Sequence, residues 1–359
     1  MEISASLSSI SAFIDCEGSY WYCGGCEQGL AASTKFYKPF TLHSGIPQFT
    51  KCSSKYMHSL LLDEKQHVWS FGGNNHGELG TGTSAARGNL TEIDNLRGIR
   101  TLFAGYNNSF FISNEGDVYA NGYNNHCELG YSQMNLNVPK RIEGIPPMQS
   151  VSAAQYHSLL LDCEGSVWST GKNSCGELGV GDTEKKSQFS KIEGIPEIKS
   201  VFTGLNFSVL LDFDGYMWAC GLLEIIAADK NWLTPAIIPN LPKVAVVETG
   251  IDSVMFSDES GDTWALGNNT NKQLGISLEK ATVPTKVEGL PAVVKSISQT
   301  HHTLFLDVNG TLLSCGKNTS GQLGLSFGDL APRTKPEVVL DIPSVGFHRT
   351  QTKSARKVV

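Results

Sequence analysis

The chain has few of the features that mark a membrane protein, a nucleic-acid binder or an enzyme. No run of roughly 18 apolar residues occurs, so no helix is expected to span a membrane. The first residues, Met1-Glu2-Ile3-Ser4-Ala5-Ser6, have neither the basic region nor the long apolar stretch of a signal peptide, and no lysine or arginine precedes Lys35. A reducing intracellular setting, cytoplasmic or nuclear, is therefore expected, with the nine cysteines as free thiols. Positive charge is also scarce. Lysine and arginine total 28 against 35 acids, a net charge of −7, which argues against nucleic acid or chromatin as the main partner.

The chemical motifs are equally thin. Gly165 to Lys172 has a Gly and a Gly-Lys, but the spacing is wrong for a phosphate loop and Asn173 follows the lysine. Cys23-Gly24-Gly25-Cys26 has Cys-x-x-Cys spacing, but no second such pair exists to complete a zinc site. Cys23 also shares a column with Cys220 and Cys315, which reads as small core fillers. No metal or other cofactor and no catalytic residue is expected.

Glycine, by contrast, is abundant at 37 residues, and its placement is regular. Gly24, Gly72, Gly122, Gly171, Gly221, Gly267 and Gly316 recur every 46 to 50 residues. Three residues before them stand Trp21, Trp69, Tyr119, Trp168, Trp218, Trp264 and Leu313, which takes five of the six tryptophans. Further back lie Asp15, Asp63, Ser113, Asp162, Asp212, Asp258 and Asp307, mostly as Asp-x-x-Gly. The aspartate can accept from the backbone two residues on, and the glycine can take a positive φ, so the phrase reads as a hairpin turn between apolar strands such as Leu159-Leu160-Leu161 and Val167-Trp168. A strand before the hairpin (Lys199 to Phe202) and one after the long connection (Ser190 to Ile192) complete a four-stranded unit. Such sheets bury their faces by stacking around an axis. The expected fold is all-β, a seven-bladed propeller over residues 1–348 with its ring closed by N- and C-terminal strands, and a basic tail at 349–359.

Most units also carry a phrase such as Asn74-Asn75-His76-Gly77-Glu78-Leu79-Gly80 or Asn173-Ser174-Cys175-Gly176-Glu177-Leu178-Gly179. With His157-Ser158-Leu159-Leu160-Leu161-Asp162 and Trp168-Ser169-Thr170-Gly171, the chain resembles the regulator of chromosome condensation repeat family from about Ile3 to about Pro343. The resemblance implies a seven-bladed propeller and several trades. The namesake exchanges nucleotide on the small GTPase Ran and docks on chromatin. Relatives attach the ring to ubiquitin ligases, kinases, BTB domains or Rho-type exchange modules. Others are a plant ultraviolet receptor and a secreted bacterial β-lactamase inhibitor. The receptor's Gly-Trp-Arg-His-Thr phrases are absent; Gly105-Tyr106-Asn107-Asn108-Ser109 stands instead. The exchanger's inserted β-wedge and basic N-terminal tail also lack counterparts here.

His58, His157 and His302 share one column beside the hydroxyls Ser11, Ser59, Ser109, Ser158, Ser208 and Thr303. A repeated His-Ser reads as a structural brace, since catalysis would need it once. The doubled His301-His302 is kept as a contact candidate. Two features break the repeat. The fifth unit replaces the Asn-x-x-Gly-x-Leu-Gly phrase with a segment holding Leu222, Leu223, Ile225, Ile226 and Trp232, an anchor for a partner if exposed. The tail holds Arg349, Lys353, Arg356 and Lys357, a candidate docking signal. The expected function is a monomeric, non-enzymatic interaction scaffold for a protein partner. The alternatives are a guanine-nucleotide exchange factor for a Ran-like or Rab/Rho-like small GTPase and, third, a chromatin-associated propeller.

Overall fold

The computed structural model describes residues 2–5, 10–15, 17–24, 41–42, 47–132, 134–222, 232–326 and 328–340. These residues form seven four-stranded antiparallel sheets, each built from consecutive strands. Blade 4 shows the plan: an inner strand Met148–Ala153, a second strand His157–Asp162, a third strand Val167–Gly171 and an outer strand Lys186–Lys191. The second strand is buried at every position in blades 2 to 7, because blades cover both of its faces. That burial explains why it reads as an unbroken apolar run rather than an alternating one. Outer strands such as Lys186–Lys191 are largely exposed.

The meander sets two unlike faces. The upper face carries the loops that join inner to second strand and third to outer strand. The lower face carries the Asp-x-x-Gly turns and the links between blades. Ring closure places N-terminal residues Ile3, Ala5 and Phe13 against C-terminal residues Leu304, Leu306, Leu312 and Val339. The outer strand Arg333–Val338 hydrogen-bonds within its own blade, so this joint is made by side chains.

On the lower face, one Asp162 carboxylate oxygen accepts the Glu164 and Ser166 amides at 2.9 and 2.8 Å. The other accepts the Trp168 indole N–H at 3.0 Å. The same indole bond recurs at Asp15–Trp21, Asp63–Trp69, Asp212–Trp218 and Asp258–Trp264. Blade 3 has Tyr119, which offers no N–H there, and Ser113 takes the aspartate's place with only the two amide bonds. The tryptophan column is thus structural, as its repetition implies. Its rings are half-buried, and each lies on the apolar cluster that joins its blade to the preceding one, as Trp168 does on Phe110, Ile112 and Val118.

The closing glycines answer a constraint on the upper face. At Gly72, Gly122, Gly171, Gly221, Gly267 and Gly316, an added Cβ would stand 2.4–2.5 Å from a carbonyl oxygen of the loop between inner and second strands. That carbonyl, Tyr156 O in blade 4, accepts the next amide, Lys172 N, at 2.8 Å. Glycine is required twice over, for its positive φ and for this close approach.

Asp162→Ala should lower unfolding stability by about 2 kcal/mol, as three part-buried donors lose their acceptor. Asp162→Ser, which copies blade 3, should lose less than half of that. Equal losses in urea unfolding would remove the carboxylate's role.

Candidate upper-face interaction site

The Asn-x-x-Gly-x-Leu-Gly phrase and its variants form a plug at the upper end of blades 2, 3, 4, 6 and 7. In blade 4 the Asn173 Oδ1 accepts Leu178 N at 2.9 Å, Leu178 is fully buried, and Glu177 Oε2 accepts Cys175 N. The plug's backbone carbonyl is then captured by the following blade. Ser109 Oγ donates to Glu78 O, Ser208 Oγ to Glu177 O, Thr303 Oγ1 to Gln273 O and Ser11 Oγ to Gln322 O, each at 2.7 Å. The thiols of Cys220, Cys315 and Cys23 reach the same carbonyls at 3.4–3.5 Å. The cysteine column is therefore a set of weak donors in the seams, and burial pushes the Cys220 thiol up to about 12.

The histidines brace the same seams. His58 Nε2 lies 3.0 Å from Ser109 Oγ, His157 Nε2 3.0 Å from Ser208 Oγ, and His302 Nε2 2.8 Å from Ser11 Oγ. Each hydroxyl hydrogen is committed to a carbonyl, so Nε2 carries the imidazole proton and donates. Burial holds these rings neutral, pulling His58 down to about 4 and His157 and His302 down to about 3. His302 is fully buried and presents no contact surface; its neighbour His301 is half-buried at the upper face.

The seam between blades 5 and 6 departs from this pattern at every polar position. The plug phrase is absent. Phe207 stands where blades 2, 4 and 7 have histidine, Val254 replaces the hydroxyl, and Leu266 replaces the Cys or Asn donor. All three are buried together in one apolar cluster. Above them opens a pocket of about 460 Å³, with Leu205, Phe207, Leu222 and Ile251 as its apolar wall. Its rim carries Asn206, Asp252, Asn268, Thr270, Glu279 and Lys280, with Asn268 Nδ2 donating to Asp252 Oδ2 at 2.8 Å.

Leu222 thus lines the pocket. Trp232 is half-buried in the outer strand Trp232–Ile237, paired with Gly221 and packed on the Phe207 cluster, where it replaces lost packing. Leu223, Ile225 and Ile226 lie outside the described residues, as do Arg349, Lys353, Arg356 and Lys357.

Sequence reading missed a second feature of this face. His76, Tyr123, His126 and Tyr156 form an arc over blades 2 to 4, with ring centroids 4.9, 6.3 and 4.8 Å apart. Lys172 Nζ lies 5.5 Å from the Tyr156 ring and donates to Asn206 Oδ1 at 3.1 Å, which links the arc to the pocket rim. Burial, then the charges of Lys172 and Lys185, pull the His126 pKa down. The available signal was His76 and His126 at one position of the plug phrase in blades 2 and 3, with Tyr123 and Tyr156 at loop positions where the other blades have other residues. Among the described residues, no group of three or more His, Cys, Asp or Glu could hold a metal ion. No helix among them is long and apolar enough to cross a membrane.

The fold is that of a seven-bladed propeller whose blades are glycine-punctuated repeats. Residues 115–161 match the regulator of chromosome condensation (RCC1) repeat, and residues 149–177 match a second model of that repeat. Residues 115–177 are thus similar to this repeat. Among curated relatives, it is 31% identical over 170 residues to the human probable E3 ubiquitin-protein ligase HERC6, covering 45% of this chain and 16% of that protein. It is 31% identical over 127 residues to a Xenopus laevis RCC2 homologue, covering 34% and 25%. The matches therefore span a quarter or less of those relatives. In structure it is similar to Prp20p of Saccharomyces cerevisiae, with TM-score 0.79, 21% identity and coverage of 92% and 88%. Human WBSCR16 is similar at TM-score 0.76 and 17% identity, covering 86% and 87%.

Two substitutions separate the pH effects of the seams. The folded state excludes a proton from His157 that the unfolded chain binds near pH 6.5, so this residue's contribution is complete above that pH. It is lost as pH falls towards about 3, by about 1.4 kcal/mol per pH unit. His157→Asn, which copies blade 3, should flatten that acid limb in urea unfolding; an unchanged slope would refute the neutral brace.

Glu128 behaves in the opposite sense. Burial pushes its carboxyl up to about 8, so its stabilising contribution falls as pH rises from about 4.5 to about 8. Glu128→Gln copies Gln273 and Gln322 and should gain stability over the parent in that interval, with a plateau above it. A pH-independent difference would sink this assignment.

Proposed function

We propose that the chain is a non-enzymatic protein-interaction scaffold whose upper face receives the partner, with the pocket between blades 5 and 6 as its anchor point. The observation that carries this reading is the concerted change of that seam. Phe207, Val254 and Leu266 together remove the polar groups that the missing plug would have satisfied, and a concave apolar wall with a polar rim results. Interfaces are anchored by one or two large side chains seated in such pockets. The Tyr156–Lys172 end of the arc extends the same surface.

A second reading has its own support. Prp20p of Saccharomyces cerevisiae binds Gsp1p and histones, and the chain covers most of that protein's fold. Nucleotide exchange on a small GTPase, or docking on histones, is therefore the alternative. Against exchange, the described strands are all accounted for by the seven sheets, and no projecting hairpin occurs among them.

Capture from cell extract, with and without EDTA to strip Mg²⁺ and nucleotide, tests these readings. The scaffold reading expects one non-GTPase partner in both arms. Ile251→Arg or Thr270→Trp should reduce its capture by about tenfold or more, whereas Phe213→Asp on the lower face should not. A small GTPase captured only with EDTA, with faster nucleotide release, would replace the scaffold by an exchange factor. Histones held in a steeply salt-dependent manner would favour chromatin docking. Capture that survives both upper-face variants would remove the pocket from the account.

A further inference from the structure

The hydroxyl column of the seams has one member that its usual partners do not reach. In a complete seam the hydroxyl donates to the plug carbonyl and accepts from an imidazole, as Ser208 does with Glu177 O and His157. A further contact comes from the inner strand of its own blade. Ser59 Oγ lies 2.8 Å from Ser54 Oγ, and Thr303 Oγ1 donates to Ser298 Oγ at 3.1 Å. Ser158, which faces blade 3, makes none of these bonds. Its cross-strand partner is Ala153, which carries no hydroxyl. The imidazole position of blade 3 holds Asn108, whose side chain has two fewer heavy atoms than histidine and lacks the far ring nitrogen. The second donor of this seam, Thr170, turns to Cys127 O at 3.1 Å, whereas its counterparts Cys220 and Cys315 reach the plug carbonyl itself.

Asn108 and Ser158 are fully buried, and Asn108 Oδ1, Asn108 Nδ2 and Ser158 Oγ meet no partner among the described residues. Register brings the two side chains together. The equivalent pairs His58–Ser109, His157–Ser208 and His302–Ser11 stand 2.8–3.0 Å apart across their seams. Gly105 fixes where the amide lies. A Cβ at that glycine would stand 1.9 Å from Asn108 Oδ1 and 3.0 Å from the Cβ of Ala153, the cross-strand partner of Ser158. The carboxamide is therefore folded over Gly105, beside the Ala153–Ser158 pair. The seam between blades 6 and 7 shows a milder case. Ser253 takes the imidazole position there and its Oγ is unmet among the described residues, but Thr303 keeps both Gln273 O and Ser298. Only between blades 3 and 4 are both members of the pair left over. Interiors meet such groups with protein atoms or with ordered water, because a buried polar atom without a partner is costly.

We propose that the seam between blades 3 and 4 is built around a buried water site, in which one ordered water takes the place of the imidazole. The water accepts from Asn108 Nδ2, donates one hydrogen to Asn108 Oδ1 and donates the other to Ser158 Oγ. Three unmet atoms thus receive three hydrogen bonds, the usual number for a buried water. The Ser158 hydroxyl hydrogen then turns to the Glu128 carbonyl, the bond its counterparts make in four other seams. The donor set selects water over an ion. A metal ion or an ammonium has no lone pair for Asn108 Nδ2, and a halide has no hydrogen for Asn108 Oδ1. The site also supports the upper face, because the His126 and Tyr156 rings, 4.8 Å apart, belong to the two blades that this water joins.

The test begins with a crystal structure of the intact chain at a resolution that shows ordered water. One well-occupied water within hydrogen-bond reach of both Asn108 and Ser158 is expected. In Asn108→His the ring should displace it, with Nε2 about 3 Å from Ser158 Oγ, and the urea midpoint should be kept or raised. Asn108→Leu and Ser158→Ala each strip the water of a partner and should lower the midpoint. The double variant should lose less than the two single losses together, since no polar group then remains to be met. If Asn108→Leu fails to fold, the unaltered chain and Asn108→His decide the matter. Asn108 and Ser158 bonded directly to each other, or a water that persists unmoved in Asn108→His, would overturn the proposal. Single losses that simply add in the double variant would do the same.

Discussion

In four seams a hydroxyl of one blade holds a backbone carbonyl of its neighbour, and the ring depends on that bond being repeated. The plug of one blade ends in a carbonyl that points across the seam, and a hydroxyl of the next blade meets it at 2.7 Å in four seams. A buried carbonyl left unmet would cost about 1–3 kcal/mol, so the seam chemistry is all or nothing. Histidine orients the hydroxyl, a thiol or amide supplies a second donor, and the closing glycine lets the third strand pass under the upper loop. These residues form one device whose parts make sense only together.

That dependence explains why the fifth and sixth blades change at several positions at once. With the plug phrase gone, the hydroxyl, the imidazole and the second donor would each be buried without a partner. Val254, Phe207 and Leu266 remove all three at once, and the seam remains closed by packing. The 460 Å³ pocket opens above this apolar seam. Specificity in a repeat ring can arise in this way, from a seam that changes its bonding type, with no need for an inserted element.

The fold was legible because its marks repeat. The Asp–Trp spacing of six residues and the closing glycines carry a period that no single blade could show. The brace role of the histidine and hydroxyl columns was legible too, although the partners were not: His157 reaches Ser208 of the next blade, whose acceptor Glu177 O lies 31 residues earlier in the preceding blade. The odd seam left a trace in the hydroxyl column, which has six members for seven blades. The aromatic arc and the axial lysines were hidden for a different reason. Lys51, Lys55, Glu248 and Lys295 occupy axis-facing positions of inner strands, but no two blades use the same set, so nothing in the repeat draws attention to them.

The two faces of the ring are constrained unequally. The lower turns must keep a carboxylate for two amides and an indole, which leaves little freedom in five of seven blades. The upper loops must supply only one carbonyl for the closing glycine's neighbour, so their side chains are free to differ. Tyr56, Tyr106 and Tyr156 stand there in three blades, Asn206 and His301 in others. Variation therefore collects on the upper face, where a partner can be read residue by residue. The axis is built in the opposite way: seven similar strands surround it, and its character rests on which few positions depart from small or hydroxylic residues. At the upper end, where glycine and alanine leave room, Lys55 reaches across to Ala153 O of blade 4.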